Sequence, residues 1–532
     1  MTYTSELIRK GDKKQIWEKY CGFLDLTIQE YMKIQERLLL EQINTMAGSN
    51  LGDHFLGNHP PKSVEEFRKK VPLTRYGAYV DFLMDCREED LPKANYRWAR
   101  TSGKSGEYPC KWVPYTDEMY NKIGEVVLTA MIFASCSTKG EVSVETDDII
   151  LLATAPRPYF SSYVSLATDD LLDVRFIPPL DEAEKMEFGE RLAAGFSIGM
   201  QTGIDYFYGL ASILTKMGER FESGTSSGKF SLKMLKPSIL ARYAKGMLKA
   251  KLSKRNLLPK DLWKLKGVMT GGMDTDIYKG KVAHYWGMTP LEGVGCTEGG
   301  NLTCQAWNRK GMTFAPDINF YEFIPLNEHQ KAKADPTYTP KTLLMDELVP
   351  GVYEIVMTNF HGGAMFRYRI GDFYEVVSIG DDEIGTVLPQ FGFFSRCDDY
   401  MDLGNMVRFT EKTIWQALEM SEVQYVDWAA RKEVKNANPI LHIYLELNND
   451  EKSNLQEIQT KVMKGLMAVN SEFASMETIM GDGHVQVSTL PSGAFDNYIE
   501  FQRKAGADLA HIKPPHIEPA DEVLEKLSKP LE

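Results

Sequence analysis

Residues 100–112 read RTSGKSGEYPCKW, and the Gly-Lys-Ser inside them is the ending of a phosphate-gripping P-loop. The full motif needs a glycine five positions before Gly103, where this chain has Trp98. It also needs a helix directly after the loop, so that backbone amides and the helix terminus hold the phosphates. Here Tyr108-Pro109-Cys110-Lys111-Trp112-Val113-Pro114 follows, and prolines with aromatic and β-branched residues between them predict a turn into a strand. The P-loop is excluded on both sides. A loop of small residues, hydroxyls and a lysine still suits a polyphosphate, because amides and charge can approach it closely. Taken alone, the same letters also describe a surface hairpin loop.

Around this loop lie 532 residues, 43% of them hydrophobic, enough for a large core and a second unit. A formal net charge of -13 argues against nucleic acid as a partner, since that binding rests on neutralising phosphates. Seven cysteines, at 21, 86, 110, 136, 296, 304 and 397, never fall in a Cys-x2-Cys spacing, so neither a disulfide framework nor a structural zinc site follows. The first residues, MTYTSELIRKGDKKQIW, lack the apolar core of a signal peptide. The longest apolar stretch, around EVVLTAMIFASC, is too short to span a bilayer. A cytoplasmic, monomeric protein with no integral membrane segment is expected.

Along the chain, Ile16 to Met46 repeats apolar residues at helical spacing, and Ser63-Val64-Glu65-Glu66 reads as a capping box opening a short helix. From residue 100 to about 390, helical stretches alternate with strand-like runs such as Asp148–Leu152, which reads as buried, and Gly351–Met357, which alternates like a half-exposed strand. That mixture predicts an α/β (α+β) architecture. Near residue 395 the texture changes at SRCDDYMDLGNM, and a smaller α+β unit follows, giving domains 1–394 and 395–532. From Lys229 to Lys266 the chain carries twelve Lys/Arg and a single acid, Asp261. Such a segment is either a solvated face or a basic amphipathic helix for weak contact with an anionic surface.

Four stretches before the domain crossing suit nucleotide chemistry. VMTGGMD places Gly271 and Gly272 after an apolar run, where backbone can approach a flat ring. GVGCTEGGN sets Thr297 and Glu298 among four glycines, with Val294 and Gly295 just ahead. FRYRIGD ends on Asp372, a carboxylate able to accept from two vicinal hydroxyls, as on a ribose. Arg396 then stands at the crossing, beside Asp398 and Asp399.

This order resembles the adenylate-forming superfamily, and within it the auxin-responsive-promoter family of acyl acid amido synthetases, over nearly the whole chain. RTSGKSGE…KWVP is similar to the phosphate loop, GCTEGG to the second nucleotide motif, FYEFIPL to a family signature, FRYRIGD to the ribose motif, and LPSGAFDNYIEFQRKAGADLAHIKPPHI to the closing segment with its lysine. The resemblance implies a large N-terminal adenylate-forming domain with a small mobile C-terminal α+β domain. It implies an ATP- and Mg2+-dependent enzyme that adenylates a carboxylic acid and passes the acyl group to an amine such as an amino acid. It assigns Thr101, Ser102, Gly103, Lys104 and Ser105 to the phosphates, Glu298 to Mg2+, Thr297 to the α-phosphate, and Gly271, Gly272, Val294, Gly295, Asp372 and Arg396 to the nucleotide. Lys513 becomes the mobile catalytic lysine and Asp398 the hinge. The aromatic stretch GIDYFYGL offers Tyr206, Phe207 and Tyr208 as apolar walls for the acid, although core packing explains the same residues.

The chain departs from the family pattern at Lys104, where Thr or Ser is usual, and at Val294, where an aromatic residue commonly stacks on adenine. Ser395 stands where glycine is usual, and His516 where arginine commonly follows the lysine. Acyl-CoA ligases share the first half-reaction, so CoA is the alternative acceptor. A non-catalytic homologue binding a ligand or partner through 229–266 would carry the same motifs.

Overall fold

In a computed structural model, the chain forms two compact units, Met1–Phe393 and Phe394–Glu532. The structure describes residues 2–528 except 94, 102–109, 187, 224–236, 272–274, 398, 399, 404–406, 436, 437, 472, 475, 476, 478–482 and 505–515.

Eleven strands of the first unit make one mixed sheet. A hairpin precedes it, β1 (Arg97–Arg100) with β2 (Trp112–Tyr115), so the phosphate-loop candidate is carried on antiparallel strands. The sheet then takes β3 (Ile149–Leu152), β4 (Arg175–Ile177), β5 (Tyr206–Gly209), β6 (Gly267–Gly271), β7 (Leu291–Cys296), β8 (Gly300–Gln305), β9 (Met312–Phe314), β10 (Asn319–Pro325), β11 (Gly351–Asn359), β12 (Tyr368–Asp381) and β13 (Thr386–Arg396). Their order is β10-β11-β12-β13-β9-β8-β7-β6-β5-β3-β4. From β4 to β7 every pairing is parallel, and from β7 to β8 the direction reverses.

The parallel half is covered on both faces. Ile150, Leu152, Tyr206 and Met269 face one core, which the helix Asp117–Ser135 shares. Ile149, Leu151, Phe207 and Val268 face a second core, against the helices Phe188–Thr202, Ala211–Glu222 and Thr275–Trp286. Helices on both faces of parallel strands require apolar residues at successive positions, which is what IILL in β3 supplies.

Two local expectations are revised. Gly351–Met357 alternates in sequence, yet from Tyr353 to Asn359 β11 is buried on both faces, because it lies inside the sheet. Its Glu354 is tolerated there because Arg369 binds both carboxylate oxygens (2.8 and 2.6 Å) and His329 Nδ1 lies 2.5 Å away. Burial works against that charge, but these partners bring the carboxyl down to about 2. The expected capping box at Ser63 is half formed. Ser63 Oγ accepts from Glu66 N–H (3.1 Å), while the Glu66 carboxylate takes the N–H of Lys62 instead (2.8 Å).

The second unit pairs β14 (Tyr400–Leu403) with β15 (Val407–Thr410) and builds a three-stranded sheet from β16 (Tyr425–Lys435), β17 (Asn438–Leu447) and β18 (Val485–Leu490). Helices Glu411–Met420 and Leu455–Val469 bury one face of that sheet, through Leu418, Ile458, Val462 and Leu466 against Trp428, Ile443 and Val487. Helices Ala494–Lys504 and Asp521–Leu527 contribute to a smaller core with Ala429 and Leu490.

Candidate active site

Ligands of open parallel sheets bind beyond the carboxyl ends of the strands, near a point where topology changes. In this sheet that point is the end of β7, and GCTEGG occupies it. Cys296 pairs with Gly300, leaving Thr297, Glu298 and Gly299 as a three-residue hairpin loop, with Gly300 at φ +75°. Such loops place a left-handed residue after the turn, where glycine carries no steric penalty. A Cβ on Gly299 would overlap the Met357 sulfur, so the neighbouring glycine is a packing requirement.

All three loop carbonyls are held by side chains from elsewhere in the unit. Tyr115 on β2 donates its hydroxyl to Thr297 O (2.5 Å), Asn359 on β11 donates to Glu298 O (3.0 Å), and Asn319 on β10 donates to Gly299 O (2.9 Å). Asn359 also donates to Asn319 Oδ1 (2.8 Å) and accepts from Met365 N–H (3.0 Å), so the two amides fix each other. Each is fully buried, where an unmade hydrogen bond would be costly.

The Glu298 side chain is buried as well. Its Oε1 accepts from the Tyr368 hydroxyl (3.1 Å) and lies 3.6 Å from Lys111 Nζ, which also donates to Tyr368 Oη (3.3 Å). The Lys111 side chain is only 14% exposed, and its ammonium sits 5.5 Å from the centre of the Tyr76 ring. Burial, reinforced by Glu298, pushes the Tyr368 phenol well up, so it stays protonated as a donor. Thr101 and Lys111 are also clasped at the base of the candidate phosphate loop. Thr101 N–H donates to Lys111 O (2.9 Å), and Lys111 N–H donates to Thr101 Oγ1 (2.9 Å). The rest of that loop, with Ser102, Gly103, Lys104 and Ser105, lies outside the described residues.

Asp372 sits on a bulge. Glu354 pairs with Phe373 and Val356 with Arg369, so β12 covers four residue steps where β11 covers two, and Ile370, Gly371 and Asp372 leave the ladder. Gly371 makes this possible at φ +84°. Bulges of this kind re-aim a side chain next to a site. Burial pushes the Cys296 thiol well up, and the carboxylates of Glu298 and Asp372 add to the shift. The arginines of FRYRIGD face elsewhere. Arg369 holds Glu354, and Arg367 holds Glu322 of FYEFIPL through both carboxylate oxygens (2.8 and 2.9 Å).

Of the other residues read from sequence, Gly271 ends β6 and Val294 packs partly buried against the main core from β7, one residue before Gly295. Arg396 is the last residue of β13. Gly272, Asp398 and Lys513 lie outside the described residues. The pocket trio is corrected: Tyr206 and Phe207 are buried on opposite faces of β5, because successive strand residues alternate, so the three cannot line one pocket. Only Tyr208, partly buried near the carboxyl end, remains a candidate wall. Sequence reasoning assigned no role to Lys111, Tyr115, Asn319, Asn359 or Tyr368. Two had a signal, Lys111 as the lysine of the KWVP portion of the loop motif and Tyr368 as the tyrosine of FRYRIGD; the other three had none that local sequence could show.

In the second unit, His516 is buried between two carboxylates, with Nε2 2.8 Å from Asp427 Oδ1 and Nδ1 hydrogen-bonded to Glu411. Its ring stacks on Trp428 at 4.5 Å. Burial would lower its pKa, but the bonds to Asp427 and Glu411 prevail and raise it to about 9. The ionic stabilisation is therefore full below the unfolded-state value of 6.5, declines above it, and is lost as pH rises through about 9. A His516→Gln variant is expected to melt well below the parent at pH 6 and to approach it at pH 10. A gap independent of pH would show that the ring acts by packing alone.

Residues 21–155 match the GH3 family N-terminal domain, and residues 312–396 the GH3 family central domain. The fold is shared with ligases of known structure. The structure resembles AtGH3.15 acyl acid amido synthetase in complex with 2,4-DB (TM-score 0.64, 16% identity, 93% of each chain). It also resembles 2-hydroxyisobutyryl-CoA ligase in the postadenylation state (TM-score 0.62, 14% identity, 94% of this chain and 92% of that one). In sequence the chain is similar to indole-3-acetic acid-amido synthetase GH3.15 of Arabidopsis thaliana (25% identical over 232 residues, 40% of this chain). It is similar too to 4-substituted benzoates-glutamate ligase GH3.12 of Arabidopsis thaliana (25% over 221 residues, 38% of this chain). These matches span 37% and 36% of the relatives' own lengths. No helix among the described residues is long and apolar enough to cross a membrane.

Proposed function

We propose that this chain is an ATP- and Mg2+-dependent, AMP-forming ligase that joins a carboxylic acid to an amine such as an amino acid. The observation that carries the reading is the Lys111–Tyr368–Glu298 cluster, set where the parallel half of the sheet ends and fed by the clasped base of the phosphate loop. In the first half-reaction a carboxylate oxygen attacks the α-phosphate and pyrophosphate leaves; in the second the amine nitrogen attacks the acyl carbon and AMP leaves.

Charge and amide donors must meet the departing pyrophosphate. Lys111 supplies a buried ammonium at the base of the loop, and Thr101, Ser102, Gly103, Lys104 and Ser105 follow it in this role. Thr297 is offered to the α-phosphate from a backbone held by Tyr115, Asn359 and Asn319, and Asp372 to the ribose from its bulge, with Gly271, Val294 and Gly295 bordering the base. Glu298 is the residue to hold Mg2+: one carboxylate is a fitting protein ligand set for an ion that takes its other oxygens from phosphates and water. When bound, the ion neutralises charge on the phosphates. The second unit would rotate between half-reactions about Asp398, bringing Lys513 to the α-phosphate.

The fold is shared with a CoA ligase, which keeps a thioester-forming second step as the alternative. Pyrophosphate exchange into ATP, run with pooled aromatic, indolic and fatty acids, tests the first step. Exchange dependent on acid supports the reading, and ADP as the product would overturn it. Amino acids and CoA, added in parallel, separate amide from thioester. ATP binding without turnover would favour the non-catalytic homologue.

A further inference from the structure

The basic segment resolves into two kinds of positive charge. Arg242 is bound to Gly199 O and Met200 O (3.0 and 2.8 Å), and Arg255 is paired with both oxygens of Asp261. Lys260 donates to His284 O, and Lys266 pairs with Glu145 and Asp148. These cations hold the fold together. Lys245, Lys251 and Lys254 are exposed on or just after the helix Pro237–Leu252.

That helix has two apolar sides. At about 3.6 residues per turn, Ile239, Tyr243, Gly246 and Ala250 fall together and pack inward. On the outward side, Met247, Leu240, Ala244, Leu248, Ala241 and Leu252 form a continuous arc interrupted only by Lys251, with Lys245 at its border. The four large side chains of this arc are 46% (Met247), 43% (Leu240), 60% (Leu248) and 76% (Leu252) exposed. From Pro237 to Lys260 there is no acidic residue, although the whole chain carries a net charge of -13.

We infer that this outward face docks the protein on an anionic lipid bilayer, the helix lying in the headgroup plane with its leucines in the acyl boundary and its lysines on lipid phosphates. An exposed apolar arc bordered by lysines is the pattern of interfacial helices, which need both apolar burial and surface charge. Charge complementarity selects the occupant. A second copy would set Lys245 and Lys251 against their equivalents, and an acidic bilayer meets them with opposite charge.

The test is co-flotation of the full chain with vesicles of phosphatidylcholine alone and with about one-third phosphatidylglycerol, at low and high salt. At least tenfold stronger binding to the anionic vesicles, weakened by salt, is expected. Lys245→Gln/Lys251→Gln should weaken it by about tenfold or more. Leu248→Ser/Leu252→Ser should weaken it comparably. Far-UV circular dichroism and the melting midpoint establish that these variants fold. Equal binding to both vesicle types, or anionic binding that survives both double variants, overturns the inference. A concentration-dependent dimer abolished by Leu248→Ser, without vesicle binding, would assign the face to a second copy and overturn it as well.

Discussion

Lys111→Met is expected to slow acid-dependent pyrophosphate exchange by roughly two to three orders of magnitude, the usual cost of removing a preorganised donor from a water-poor site. The lysine is placed before any ligand arrives. Its backbone is clasped to Thr101 on both sides, and its ammonium is aimed by Tyr368 and Glu298. Glu298→Gln keeps the shape and the bond from Tyr368 but loses the charge that would hold Mg2+, so its loss should deepen as Mg2+ is lowered. The two variants separate the roles: the loss caused by Lys111→Met, relative to the parent, should change little with the metal concentration. Exchange within about threefold of the parent for Lys111→Met would place the phosphate charge elsewhere on the loop, with Lys104 the next residue to change.

Arg367→Met should cost about 3–5 kcal/mol of folding stability, because it strands the buried Glu322 carboxylate. Arg367 binds both Glu322 oxygens and also donates to Arg68 O and Val71 O (2.6 and 2.7 Å). Thr342 Oγ1 and the more exposed Arg68 are the partners that Glu322 would retain. Denaturant unfolding of the first unit is the measurement. The double variant Glu322→Gln/Arg367→Met should recover part of the loss, since removing both charges removes the stranded one. A loss below about 1 kcal/mol for Arg367→Met would mean that the pair is solvated in solution.

Much of this was legible in the letters, for identifiable reasons. The run Ile149–Leu152 announces a strand covered on both sides, and GCTEGG announces a tight turn because several of its positions admit no side chain. FRYRIGD was read as a ligand motif, and its two arginines instead tie strands together, while Gly371 with Asp372 forms the bulge. The remaining parts of the site depend on pairings distant in sequence. Tyr115, Asn319 and Asn359 look like ordinary strand residues until β2, β10 and β11 bring them to three consecutive carbonyls. The pocket assignment at Tyr206–Tyr208 failed because composition carries no information about which face of a strand a residue takes.

The support of those three carbonyls has a consequence for how this site can change. The loop's course is dictated by Tyr115, Asn359 and Asn319, none of which belongs to it, so the identity of the side chain at 297 is decoupled from where Glu298 stands. Position 297 is thus an adjustable element on a fixed mount. Exchanging its side chain for serine, valine or alanine tests the proposed α-phosphate contact with Glu298 left in place, and the same independence would let evolution or a designer retune that position without rebuilding the scaffold beneath it.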